Sequence, residues 1–311
     1  MISNDMVLGV FLLIQTGFGA LGNSFLLGLY AITFFTGPRL KPIDLLFSHL
    51  ALVNDLVLLS KGVTQTMAAL GLNNFMDDVG CKLVFYLHRV ARGLSLCSTC
   101  LLCGFQATTL SSRSSRWAEL KDRAPKCITP LCIGCWTFHL LTNYFILLYI
   151  KSPRKNENTT ERNCLIYCSA TIDVSFNAAL YILLISLPDV FCIGIMVVTS
   201  GYMVLVLYKH HQRVQYIHGN NLTLSSSPES RATQTILLLV SMFVSLYSLN
   251  SILTLHLELG KMTSQLVHMS AFLAACFPAC SPFVLIVSNS QVSKYALALW
   301  DRIKLPGFTI V

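Results

Sequence analysis

Charge is what this sequence has least of. Only 12% of its 311 residues are Asp, Glu, Lys or Arg, against roughly 25% in an ordinary soluble domain. None of the four occurs from Val7 to Phe35, from Cys127 to Ile150, from Thr233 to Leu257 or from Met262 to Ser293. Each gap exceeds the roughly 20 residues a helix needs to cross a bilayer, which excludes a soluble globular fold. Enzyme signatures are missing too: there is no Gly-x-Ser-x-Gly, His-Glu-x-x-His or phosphate-binding loop, so hydrolytic, zinc-dependent and nucleotide chemistry have no motif to rest on. His49, His139 and His256 stand singly in apolar stretches without metal-ligand spacing, and neither a metal nor a cofactor is expected. Internal repeats are absent, which counts against a transporter built from matching halves.

What is present is a set of apolar runs. Three more carry isolated charges: Ile43 to Ser60 (Asp44, Asp55), Leu83 to Thr109 (Arg89, Arg92) and Ala178 to Tyr208 (Asp189). The expected architecture is an all-α membrane protein, a single seven-transmembrane helix bundle with spans near 7–35, 43–61, 82–109, 127–150, 178–208, 232–257 and 263–288. The first is too long for a signal-peptide core and has no basic residue before it. The net charge of +8 belongs to the loops, so nucleic acid is not an expected partner. Of the 22 Lys and Arg residues, 13 fall in 35–43, 109–126, 209–231 and 289–311, and seven in the alternate connections, with Arg89 and Arg92 inside span three. That bias puts the N-terminus outside and the C-terminus in the cytosol. Asn158-Thr159-Thr160, a glycosylation acceptor, then falls on the outside. Residues 291–300 alternate at roughly helical spacing and are expected to form a short amphipathic helix on the inner membrane surface.

Most of the 12 cysteines lie in apolar spans, where a thiol is a small buried hydrophobe. Three are expected outside: Cys81 at the head of span three, and Cys164 and Cys168 in the loop after span four. The oxidising exterior favours a disulfide there, between Cys81 and either Cys168, the preferred partner, or Cys164.

Seven spans, an outside N-terminus and this cysteine arrangement resemble a G-protein-coupled receptor. "GALGN" (Gly19 to Asn23), Trp136 and Pro188 sit where that superfamily carries its signatures. The departures are informative. "FQA" (Phe105 to Ala107) stands where Asp-Arg-Tyr is usual, "SPFVL" (Ser281 to Leu285) replaces Asn-Pro-x-x-Tyr, and Asn54 takes the place of the sodium-binding aspartate, with Asp55 beside it. "HLALVNDLVLLSKG" (49–62), "YLHRVARGLSLCSTCLL" (86–102), "SRWAELK" (115–121), "LPDV" (187–190) and "SPESRATQTILLLVSMFVSLY" (227–247) closely resemble the vomeronasal type-1 receptors. The resemblance runs from about residue 20 to 290. It implies a receptor for a small, mostly apolar chemical cue at the plasma membrane, signalling through an inhibitory-class heterotrimeric G protein. A bitter-taste-like receptor is the alternative within receptors, and a transporter the alternative outside them.

Arg89 and Arg92 lie 8 and 11 residues in from Cys81, about 12 and 16 Å deep at 1.5 Å per residue. An arginine there costs about 2.5–3.5 kcal/mol and normally faces the bundle interior with a partner. Asp189 is the natural partner. Two readings stay open: a structural ion pair, which is preferred, and the polar floor of a ligand pocket. Asn23, Asn54 and Asp55 are expected to form a polar network; Asn54 and Asp55 either hold a hydrated cation or polar network that shifts on activation, or are hydrogen-bonded packing polars. Tyr86, Phe243 and Tyr247 read as packing aromatics. Gln106 and the basic inside loop with Arg113, Arg116 and Lys121 are the expected G-protein contact, anionic lipid headgroups being the other partner for those cations.

Overall fold

The computed structural model describes residues 4–36, 41–72, 76–110, 115–144, 150–151, 163–165, 168–170, 176–218, 228–259, 264–288 and 292. Arg113, Asn158 and all of 291–300 except 292 lie outside them, so the glycan and the surface helix do too. Among the described residues there are seven helical segments: α1 (Asn4–Thr36), α2 (Pro42–Ala69), α3 (Asp78–Leu110), α4 (Ser115–Thr142), α5 (Phe176–His218), α6 (Pro228–Leu259) and α7 (Ser264–Ser288). All except α4 contain a stretch long and apolar enough to cross a membrane. The helices pack as a bundle in which α3 touches α2, α4, α5 and α6, and α1 closes the ring against α2 and α7. Leu21, Phe35, Val198 and Val287 are exposed and form the apolar surface that lipid requires, while the backbone of each span bonds within its own helix.

Local chemistry accounts for the boundaries. α2 opens with Pro42 at its first position, and Asp44 accepts from the Lys41 amide at 3.1 Å, a cap that satisfies an orphan donor. The helix does not stop at residue 61. It passes through a π turn over Leu58–Gly62 and continues to Ala69, so Lys61, expected at the end of span two, sits half-buried inside it. The fourth helix differs most from expectation. It begins at Ser115, so Arg116 and Lys121 belong to a helix rather than a loop, and it ends at Thr142. Ile150, expected as the last residue of that span, instead starts a strand.

That strand belongs to a small antiparallel sheet: β1 (Ile150–Lys151), β2 (Asn163–Leu165) and β3 (Cys168–Ala170), in the order β1-β3-β2. Ile150 pairs with Ala170, and Leu165 with Cys168. β1 lies against α3. Cys81, fully buried at the start of α3, is disulfide-bonded.

Prolines break the backbone bonding of α7 at two places, Pro278 and Pro282. Pro282 has no N–H for the Pro278 carbonyl one turn earlier. Asn23 of α1 supplies the missing donor: its Nδ2 reaches the Pro278 oxygen at 2.9 Å and the Gly19 oxygen at 2.9 Å. Close approach makes this geometry reachable. A Cβ on Gly19 would fall 2.7 Å from the Ala279 Cα, so only glycine allows α1 this near α7.

Candidate functional site

Two cavities flank Arg92. The first, about 470 Å³ of empty space, lies between α2, α3, α6 and α7 and is lined by His88, Arg92, Ser95, Tyr247 and Asn250 together with Val57, Phe243, Leu246, Leu273, Phe277 and Pro278. The second, about 370 Å³, lies between α3, α4 and α5, with Arg89, Arg92, His139, Asn143, Pro188 and Asp189 on its walls. The first has the character of a small-molecule site: apolar and aromatic walls with a few convergent polar groups. Phe243 anchors the apolar side, edge-on to Phe277 (4.7 Å, 87°) and stacked on Tyr247 (5.8 Å, 17°).

At the polar end, Tyr247 stands between the expected ionic partners. Its hydroxyl donates to Asp189 Oδ2 at 2.8 Å, and the Arg92 guanidinium lies 4.9 Å from its ring centroid, in cation–π geometry. The structure therefore brings Arg89, Arg92 and Asp189 around one cavity, and the link between Arg92 and Asp189 runs through a phenol. His88 is only 8% exposed, lines the first cavity and has no hydrogen-bond partner for Nδ1 among the described residues. Lys61 lies within electrostatic range of His88, Arg89 and Arg92. Cations thus outnumber carboxylates here among the described residues, a costly imbalance in a bilayer interior.

The floor of the first cavity joins a polar network. Ser95 donates to Asn54 Oδ1 at 2.7 Å, and Asn54 Nδ2 donates to Ser281 Oγ at 2.9 Å, tying α3, α2 and α7. Asp55 points away from this network: its Oδ2 accepts from Ser24 of α1 at 3.0 Å, and Oδ1 has no hydrogen-bond partner among the described residues. The expected trio therefore divides, with Asn23 and Asn54 serving α7 and Asp55 serving α1. His49 is not isolated either. It contacts Ser98 Oγ at 2.8 Å and accepts from Trp136 Nε1 at 2.8 Å, joining α2, α3 and α4.

At the inner end, Gln106 is buried and donates to Thr233 Oγ1 at 2.8 Å, crossing from α3 to α6. Arg116 and Lys121 lie on the first turns of α4, with their side chains outside those described. Tyr247 and His88 are the cavity-lining residues that spacing alone missed. A histidine next to Arg89 in an apolar span was the available signal for His88, whereas a tyrosine in an apolar helix has none.

Comparison with known proteins agrees with this geometry. The model of the vomeronasal organ pheromone receptor family matches residues 6–298. Human vomeronasal type-1 receptor 1 is 46% identical over 295 residues, covering 94% of this chain and 83% of that protein. Human vomeronasal type-1 receptor 4 is 44% identical over 292 residues, covering 94% and 97%. A zebrafish (Danio rerio) olfactory receptor class A-like protein 1 is 31% identical, covering 91% and 90%. Among solved structures, a crystal structure of squid rhodopsin superposes with a TM-score of 0.72 at 16% identity, over 98% of this chain and 88% of that one, which fixes the seven-helix receptor fold. The chain belongs to the vomeronasal organ pheromone receptor family: it is a multi-pass plasma-membrane, G-protein-coupled chemosensory receptor, not an enzyme.

Proposed function

We propose that the receptor takes a small, mostly apolar ligand from the extracellular side into the cavity between α2, α3, α6 and α7. The apolar body rests on Phe243, Leu246 and Phe277, and an anionic or strongly accepting group faces Arg92 and His88. The observation that carries this reading is the pairing of an aromatic wall with a guanidinium and a deeply buried imidazole whose Nδ1 has no hydrogen-bond partner among the described residues, all in one cavity. Ligand binding biases a two-state bundle. The group Arg92–Tyr247–Asp189 senses occupancy on α3, α6 and α5, and Ser95 passes it through Asn54 to α7. Opening between α3 and α6, held by Gln106 and Thr233 in this state, admits the G protein. Gln106, Arg113, Arg116 and Lys121 form its contact face, and the G protein is of the inhibitory class, as the family resemblance implies. Cys81 pairs with Cys168, and Asn158 carries the glycan.

The test is a G-protein activation assay in cells displaying the receptor, screened with matched neutral and anionic small molecules. Arg92→Gln and Phe243→Ala are run alongside, and surface display is scored in each. Arg92→Gln is expected to abolish responses to acids while sparing neutral analogues, and Phe243→Ala to weaken both. Responses to acids that survive Arg92→Gln at normal potency would remove the guanidinium from the ligand site. Loss of the signal with pertussis toxin is the expected result for the inhibitory class.

A further inference from the structure

Four thiols from three helices converge beneath the second cavity. Cys97 and Cys100 come from α3, Cys135 from α4 and Cys192 from α5, and all are free. Cys97 Sγ lies 3.9 Å from Cys192 Sγ and 3.3 Å from His139 Nε2. Cys135 lies near Cys97, and Cys100 near Cys192. A thiol in a membrane bundle ordinarily needs only a small apolar slot. This arrangement differs in two respects. Two sulfurs from different helices touch, and an imidazole nitrogen able to take a thiol proton stands beside one of them, the geometry of an activated cysteine. Gly93 makes room for that imidazole, because a Cβ there would collide with the His139 ring.

We propose that Cys97 and Cys192 are an oxidisable dithiol that staples α3 to α5, with His139 as the positioning residue that receives the Cys97 proton. The oxidant is hydrogen peroxide or a lipid hydroperoxide, and Cys97, Cys135 and Cys192 all retain accessible surface. Cys97 sulfur attacks the peroxide: an S–O bond forms, the O–O bond breaks, and water or an alcohol leaves. Cys192 sulfur then displaces the sulfenic oxygen: the S–S bond forms and a second oxygen leaves as water. Two thiols and one peroxide give one disulfide, one water and one further water or alcohol, with two electrons passing from sulfur to oxygen.

A disulfide bond is about 2.05 Å long, so the sulfurs close by roughly 2 Å. Rotation about χ1 of Cys97 supplies part of this. The rest comes from α5, where Cys192 stands one turn after Pro188, a residue that leaves the helix one hydrogen bond short. The staple falls about one turn below Arg92 and Asp189. It fixes the spacing of the helices that wall the second cavity and stops α5 from moving against α3. The oxidised receptor is silent and a thiol reductant restores it.

The experiment maps thiols on the purified full-length wild-type receptor. Hydrogen peroxide is titrated, remaining thiols are blocked with N-ethylmaleimide, and disulfides are reduced and labelled with isotopic N-ethylmaleimide for mass spectrometry. Cys97 and Cys192 are expected to gain label in equal amounts, at peroxide concentrations about tenfold below those that oxidise the exposed Cys127 and Cys280. His139→Gln is expected to raise the concentration required. Reduced Cys97 and Cys192 after Cys127 and Cys280 have oxidised would overturn the proposal, as would Cys97 joined to Cys135. A second arm reads G-protein activation, in which peroxide silences the wild type and spares Cys192→Ala. Equal loss in both, with the dithiol shown to form, overturns the stapling role. The mapping needs no variant and no known ligand, so it stands apart from the ligand assay.

Discussion

The Tyr247 hydroxyl donates to Asp189 at 2.8 Å while the Arg92 guanidinium stands 4.9 Å from the same ring. One side chain of α6 therefore holds a carboxylate of α5 with its polar tip and a cation of α3 with its face. Charge neutralisation alone needs no phenol. With one in place, the Arg92–Asp189 link depends on where α6 sits.

Tyr247→Phe separates the two contacts, because it keeps the ring under Arg92 and removes the donor to Asp189. A hydrogen bond to a charged group contributes about 1.5–3 kcal/mol, though interhelical bonds in membranes average nearer 0.6 kcal/mol. The smaller figure applies here because Asp189 keeps access to the second cavity. The expected outcome is near-normal surface display, a fall of a few degrees in the melting temperature of the purified receptor, and raised basal G-protein activation. Tyr247→Leu removes both contacts and is expected to lose more stability. Identical basal activity and melting for Tyr247→Phe and wild type would leave the hydroxyl without a role.

Gln106 and Thr233 give the second prediction. Their bond joins the inner ends of α3 and α6 without any charge. A neutral hydrogen bond contributes about 1 kcal/mol, roughly a fivefold bias toward the closed arrangement. Gln106→Leu and Thr233→Val are each expected to raise basal signalling by up to about fivefold, and the double variant no further, since both remove the same bond. Additive increases in the double variant would show that the two residues act separately.

Much of this was legible in the chain, and the misses share a cause. Gaps in charge located the spans, because a bilayer tolerates so few ions. Lys61 broke an apolar run and so read as the end of span two, yet α2 continues eight residues beyond it. Residues 143–150 read as membrane because "NYFILLYI" is apolar, but Asn143 and Tyr144 form a turn after α4 and Ile150 enters a sheet. Composition reports the solvent a segment prefers, not its backbone partner. The site was legible only as a set of costly charges. Tyr247 and Asp189 are 58 residues apart, and Gln106 and Thr233 are 127 apart. Pairs at such separations come from helix packing, which periodicity does not encode.

Gly93 tests the packing between α3 and α4. Gly93→Ala puts a methyl group into the His139 ring, and overpacking of this kind costs about 1–3 kcal/mol. Reduced surface display and a lower melting temperature are expected. His139→Ala in the same chain opens the space again and is expected to recover part of the loss, a coupling that two independent sites would not show. If the double variant is worse than Gly93→Ala alone, the collision is not the cause.

Ser95 is the point at which the first cavity and the helix network meet, since it lines the cavity and donates to Asn54. Ser95→Ala leaves the cavity's aromatic wall and Arg92 in place. It strips Asn54 Oδ1 of its donor, which weakens the tie through Ser281 to α7. Binding and response are therefore expected to part: ligand affinity changes by less than about twofold, the effect of a few tenths of a kcal/mol, while the maximal response falls. Asn54→Ala breaks the same network from the other side and is expected to reproduce the lowered maximum without touching the cavity. A Ser95→Ala receptor that loses affinity but keeps its full maximum would place Ser95 among the ligand's own contacts. The signal to α7 would then have to leave the cavity through Phe277 and Pro278 instead.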